Sequence, residues 1–166
     1  MAKLIFRYGA MGSSKTADAL MVRYNYEERN KKVALLKPQI ENRDDHDDKI
    51  VLKSRIGIEH ECEYAEEFLD NYDNTPYDAV IVDEVQFLAP EYIDKLSDLV
   101  DNNNITVICY GLRTDFKSKL FPGSMRLMEI ADDIEEIRTI CWCGKRAHFN
   151  ARISNGVMVT EGKQIE

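Results

Sequence analysis

Gly9 to Thr16 read GAMGSSKT, and the apolar run Leu4-Ile5-Phe6 stands directly before them. This stretch decides the fold. It follows the pattern G-x-x-x-x-G-K-[ST] with one position changed. Gly9, Lys15 and Thr16 stand where the pattern requires them, and Ser14 takes the place of the second glycine. A short strand precedes the loop, and a helical stretch, Ala17 to Glu28, follows it. In that setting the backbone N–H groups of Gly9, Ala10, Met11, Gly12, Ser13 and Ser14 point inward and hold anionic phosphates. The start of the next helix adds its partial positive charge. Lys15 reaches the terminal phosphates, and the Thr16 hydroxyl is placed to ligate magnesium. The same residues also read as a Gly/Ser-rich turn before a helix, so this loop taken alone leaves both readings open.

Composition narrows the classes. The chain has 166 residues and is 44% hydrophobic, enough for one domain with a proper core and a small appended module. No apolar stretch approaches the ~18 residues of a membrane span. The opening MAKLIFRYGA lacks the long apolar core of a signal peptide. Four cysteines without a secretory leader point to a reducing compartment, hence the cytoplasm, and to free or metal-bound thiols. The net charge of −8 argues against nonspecific nucleic-acid binding.

Four short runs rich in Val, Ile and Leu read as strands buried on both faces: Leu4 to Tyr8, Val33 to Leu36, Ala79 to Val82 and Thr106 to Tyr110. Helical stretches lie between them at Ala17 to Glu28, Tyr64 to Asn71 and Pro90 to Val100, the last opened by a proline suited to a first helical turn. Strands alternating with helices predict an α/β fold, with a parallel sheet covered on both faces. Glu41 to Lys49 (ENRDDHDDK) is dense in charge and reads as a solvated loop. From about Ile140 the pattern alternates and turns at Ser154-Asn155-Gly156, which predicts a β-hairpin. Residues 1–139 are therefore expected to form the main domain and residues 140–166 a small second module.

A second site is Tyr77 to Glu84 (YDAVIVDE), an apolar strand ending in two carboxylates. The carboxyl end of a strand is where ligands bind in open α/β sheets. Asp83 there would hold magnesium through water, and Glu84 would act as a base beside the transferring phosphate. Acidic residues also begin helices and turns, so the pair alone is ambiguous. After GAMGSSKT, it supplies the other half of one magnesium–nucleotide site.

Further motifs converge. Asp83 to Leu88 read DEVQFL, Cys109 to Phe116 read CYGLRTDF, Lys53 to Ile58 read KSRIGI, and Thr139 to Gly144 read TICWCG. With the GAMGSSKT loop, this set resembles the cytosolic, type II-like thymidine kinases, in order and spacing over nearly the whole chain. The resemblance implies a P-loop nucleotidase-type sheet with a small C-terminal zinc-ribbon-like module. It implies transfer of the γ-phosphoryl group of ATP to the 5′-hydroxyl of thymidine, giving dTMP. It also implies a homotetramer inhibited by dTTP.

The resemblance assigns roles by position. Glu84 becomes the general base. Gly9 to Thr16 bind the phosphates, with Asp83, Glu84, Val85 and Gln86 on the facing side and Asp83 and Thr16 on magnesium. The family's Asp-x-Arg phosphate contact falls on Glu41-Asn42-Arg43, so Arg43 is the candidate there, and Arg55 of SRIG is a second. Met11, Phe87, Leu112, Phe116 and Phe121 match the walls of the thymine pocket, and Asn150 a further nucleoside contact. Without the resemblance the phenylalanines read as core, Met11 as gap filling, and the arginines as solvated loop charges.

Cys141 and Cys143 frame Trp142 and suit half of a tetrahedral structural zinc site. The family's second ligand pair lies toward the C-terminus, and none follows here before Glu166. Cys62 and Cys109 read as small buried apolar residues. The ending VMVTEGKQIE looks like a strand cut off where the family's lasso loop begins, which is expected to weaken base recognition. Two other readings stay open: a kinase for another pyrimidine deoxynucleoside, and a P-loop module that binds ATP or dTTP without efficient catalysis.

Overall fold

The computed structural model describes residues 1–10, 14–40, 49–138, 152–154 and 157–159. The β-branched and apolar runs form the strands. They are β1 (Leu4–Tyr8), β2 (Val33–Lys37), β3 (Val51–Lys53), β4 (Glu59–Glu61), β5 (Glu63–Tyr64), β6 (Ala79–Val82), β7 (Thr106–Gly111), β8 (Asp133–Glu136), β9 (Arg152–Ser154) and β10 (Val157–Val159). The helices are α1 (Lys15–Glu28), α2 (Ala65–Asp70), α3 (Pro90–Asn103) and α4 (Pro122–Ile130), with a 3-10 turn at Val85–Phe87.

Six strands make one sheet in the order β5-β2-β6-β7-β1-β8, and every neighbouring pair is parallel. The expected parallel α/β architecture is therefore present. β1 and β6 have the expected bounds, and β2 and β7 each run one residue further. All of β6 (AVIV) is buried, as a central strand covered on both sides must be.

Alternation along the strands divides the core. Leu4, Phe6, Ala34, Leu36, Val80, Val82, Val107 and Cys109 face α2, α3 and α4. Leu35, Ile81, Ile108 and Tyr110 face Ala19 and Leu20 of α1 and Leu52 of β3. α3 buries Ile93, Leu96, Leu99 and Val100, a stripe at helical spacing. Pro90 opens that helix, and Asn104 closes it in the left-handed conformation (φ 53°).

Three elements depart from the sequence reading. β5 pairs with β2 and takes Tyr64, so the helix expected from Tyr64 to Asn71 spans Ala65–Asp70. β8 (DIEE) is an edge strand paired only to β1, and its acidic side chains meet Lys3 and Arg7 rather than a core. α4 carries a buried face of Gly123, Ser124 and Leu127, too polar and small to show as an apolar stripe. A Cβ on Gly123 would stand 2.5 Å from the Leu88 carbonyl oxygen and 2.8 Å from that of Val85. The residue is needed for close approach. Gly123→Ala is expected to cost about 1–3 kcal/mol, the scale of overpacking, read as a lower urea midpoint at unchanged m.

β9 and β10 pair antiparallel, with Ser154 opposite Val157, while Asn155 and Gly156 of the expected turn lie outside the described residues. Residues 41–48 of the charge-rich stretch lie outside the described residues, as do Cys141 and Cys143, on which the zinc-ribbon expectation rests.

Candidate active site

The loop after β1, the ends of β2 and β6, and the segment after β7 all lie at the carboxyl edge of the sheet. This is the edge where the sequence placed the site. Ser14 stands just before α1 with φ 65° and ψ 26°, a left-handed conformation, and makes no capping hydrogen bond. The geometry explains why the pattern prefers glycine there. A non-glycine residue in this region costs about 1–2 kcal/mol. Glycine relieves that cost but loses about 0.5–1 kcal/mol to its freedom in the unfolded chain. Ser14→Gly is therefore expected to fold as stably or slightly more so and to keep its phosphate affinity. Titration with a nonhydrolysable ATP analogue checks this, and clear loss would show that the serine hydroxyl has its own role.

Lys15 and Thr16 open α1 and reach opposite sides of the loop. Lys15 Nζ donates to the Ala10 carbonyl at 2.8 Å. The Thr16 hydroxyl donates to Asp83 Oδ2 at 2.6 Å, joining the loop to the end of β6. Asp83 is 1% exposed, and burial pushes its carboxyl up against the opposing pull of Thr16, the Glu84 backbone, Lys15 and Lys37. Burial lowers the Lys15 ammonium to about 8, helped by the charge of Arg55 and resisted by Asp83 and Glu84. Arg55 sits in the turn joining β3 to β4, so that hairpin brings its cation within electrostatic reach of the loop.

Glu84 adopts φ 51° and ψ 36° as it leads into the 3-10 turn. Three of the six non-glycine residues with positive φ among the described residues are asparagines, which tolerate it, whereas Ser14 and Glu84 both lie at this site. Holding a glutamate there costs about 1–3 kcal/mol.

Two of the nucleoside-wall candidates touch. Phe87 and Phe121 meet edge to face, with centroids 5.6 Å apart at 75°. Leu112 is 6% exposed at the end of β7. Phe116 projects from a tight loop in which Asp115 Oδ1 accepts from the Lys117 and Lys119 N–H groups at 2.8 and 3.1 Å. Val85 and Gln86, grouped with the phosphate residues by sequence, are buried against Gly111, and Gln86 Oε1 accepts from the Leu112 N–H. Met11, Gly12, Ser13, Arg43, Cys141, Cys143 and Asn150 lie outside the described residues.

Two features escaped sequence reading. Lys37 ends β2 with 8% exposure and donates to the Val51 carbonyl at 2.8 Å, placing a buried cation near Asp83. Its signal was only a lysine closing an apolar strand. Arg7, Tyr110 and Asp18 form a network: the Tyr110 hydroxyl donates to Asp18 Oδ2 at 2.7 Å and accepts from Arg7 Nη1 at 2.8 Å. Burial and the bond to Asp18 push the Tyr110 phenol up, so the network keeps its proton. It ties the first turn of α1 to β1 and β7.

The start of the loop, the carboxylate pair and the Phe87–Phe121 pair follow strands of one parallel sheet. A family model described as "Thymidine kinase" matches residues 2–166. The chain belongs to the thymidine kinase family. A thymidine kinase of Chromobacterium violaceum is 44% identical, covering 100% of this chain and 90% of the relative. Those of Francisella tularensis subsp. holarctica and Enterobacteria phage T4 are each 42% identical, covering 99% of this chain and 86% and 88% of the relatives. A solved DNA replication initiation factor overlaps 82% of this chain and 40% of its own, at 15% identity and TM-score 0.46, too loose a likeness to inform the site.

Proposed function

We propose that this chain transfers the γ-phosphoryl group of ATP to the 5′-hydroxyl of thymidine, giving dTMP. One observation supports it above others: the Thr16–Asp83 bond sets the phosphate loop beside the strand end that carries Glu84. Phosphoryl transfer asks the protein mainly for positioning and charge neutralisation. Lys15, Arg55 and Arg43 supply positive charge to the phosphates. Glu84 accepts the 5′-hydroxyl proton as the new P–O bond forms and the bond to the ADP oxygen breaks. Phe87, Leu112, Phe116 and Phe121 hold the base.

Magnesium fits the donors present. Thr16 Oγ1 and Asp83 Oδ2 are hard oxygen donors 2.6 Å apart. Among the described residues no group of three or more His, Cys, Asp or Glu could hold a metal. A hydroxyl and one carboxylate suit an ion that takes the rest of its shell from phosphate and water. When bound, magnesium neutralises charge developing on the phosphate oxygens. Thr16 and Asp83 would hold it, and Asp83 must be ionised to do so.

The reading extends to dTTP as an inhibitor, since dTTP offers a thymine and a triphosphate to the same edge, and to a homotetramer in the cytoplasm. Residues 140–166 are assigned to a separate small β module, supported by the β9–β10 pairing. No helix among the described residues is long and apolar enough to cross a membrane. The reading is tested by coupled detection of ADP. Release that requires both thymidine and magnesium is expected. Nucleotide binding with no thymidine-dependent ADP would favour the binding-module alternative.

A further inference from the structure

Leu112 stands where the β7 ladder has ended, one residue beyond Gly111. The Gly111 carbonyl still accepts from the Gly9 N–H at 3.2 Å, whereas the N–H and the carbonyl of Leu112 itself go to side chains. The Leu112 N–H donates to Gln86 Oε1 at 3.1 Å, and the Leu112 carbonyl accepts from the Ser124 hydroxyl. Gln86 is 5% exposed and Ser124 is fully buried, so neither bond has a water alternative at the surface.

The surrounding contacts are tight. A Cβ on Gly111 would lie 2.5 Å from Gln86 Oε1 and 3.0 Å from Val85 Cγ1. The backbone of the same 3-10 turn presses on Gly123 from the other side. Three elements therefore meet at the Leu112 backbone: the turn carrying Gln86 and Phe87, the end of β7, and the start of α4 with Phe121 before it. Each carries one of the residues proposed above to hold the base.

We propose that Gln86 and Ser124 are positioning residues that lock the Leu112 backbone between the Glu84–Phe87 segment and α4 and so set discrimination among pyrimidine bases. The proposal rests on Leu112 being a wall of the thymidine pocket. The thymine methyl group is what distinguishes thymidine from deoxyuridine, and an apolar pocket reads one such group by close contact. A methyl group in a well-formed pocket is worth about 10–200-fold in specificity. A wall free to shift by a fraction of an ångström loses much of that, while the phosphate loop is untouched.

The experiment compares kcat/KM for thymidine and deoxyuridine in Gln86→Met, Ser124→Ala, the double variant and Leu112→Ala, with binding of a nonhydrolysable ATP analogue alongside. Gln86→Met keeps bulk and removes the acceptor. Ser124→Ala removes one hydroxyl and adds no atom. In both, the thymidine KM is expected to rise more than kcat falls, and the thymidine preference to drop by about tenfold. Analogue binding should hold. The double variant should lose no more than the worse single one, because both bonds hold the backbone of one residue. Folded variants that keep their preference, or whose thymidine KM and analogue affinity drift together, overturn the proposal. If Gln86→Met does not fold, Ser124→Ala decides alone. Leu112→Ala separates the two levels. An unchanged thymidine KM there overturns the pocket reading and the lock with it, whereas a raised KM beside preserved preference in the other variants overturns the lock alone.

Discussion

Glu84→Gln is expected to lower kcat by roughly two to four decades, the scale of losing a general base, while binding of an ATP analogue stays nearly intact. The substitution is nearly isosteric. Both residues would occupy the same left-handed backbone position (φ 51°), so the cost of that conformation cancels between parent and variant. What changes is proton acceptance. A neutral amide cannot take the 5′-hydroxyl proton, and it also removes a negative charge facing Lys15. Steady-state kinetics at saturating ATP and thymidine check the result, and an unchanged kcat would remove Glu84 from the mechanism.

Lys15→Met is expected to lower kcat/KM for ATP by about 10²–10³-fold, comparable to deleting one pre-organised donor to a developing anion. The variant also reports on pH. Burial holds the Lys15 ammonium at about 8, below its ordinary 10.5. The ammonium binds phosphate and the neutral amine does not. ATP affinity of the parent should therefore weaken as pH rises through about 8, and bound phosphate should draw a proton onto Lys15. Lys15→Met should flatten that dependence. The sign for stability is opposite. Between about 8 and 10.5 the unfolded chain holds a proton that the folded ligand-free protein has released. Unfolding then takes up a proton, so this residue's contribution to stability rises with pH across that window. Calorimetric titrations of both proteins from pH 7 to 9.5 would check it; parallel profiles would show that Lys15 does not titrate there.

The parallel sheet was legible because β1, β2, β6 and β7 are buried on both faces and so carry nearly unbroken apolar runs. The carboxylate pair, ambiguous alone, stood out because the GAMGSSKT loop precedes it in the chain. β8 was hidden because an edge strand is written by its partners: Asp133 and Glu135 answer Lys3 and Arg7, residues some 130 positions away. α4 was hidden because Gly123 and Ser124 are dictated by contact with the turn at Val85–Phe87 and with Leu112, not by helical periodicity. Lys37 falls outside the expected strand, and its burial depends on β3, whose Val51 carbonyl it meets from a later part of the chain. Gln86 was assigned to the phosphates by its place after Glu84, yet a 3-10 turn rotates its side chain toward β7. In each case a local pattern was overruled by a long-range contact.

The most direct measurement is the fate of label from γ-³²P ATP incubated with the protein, magnesium and thymidine. Label recovered in dTMP, dependent on thymidine and nearly abolished by Glu84→Gln, is the predicted result. Label found only in ATP or inorganic phosphate, with thymidine unmodified, would contradict it.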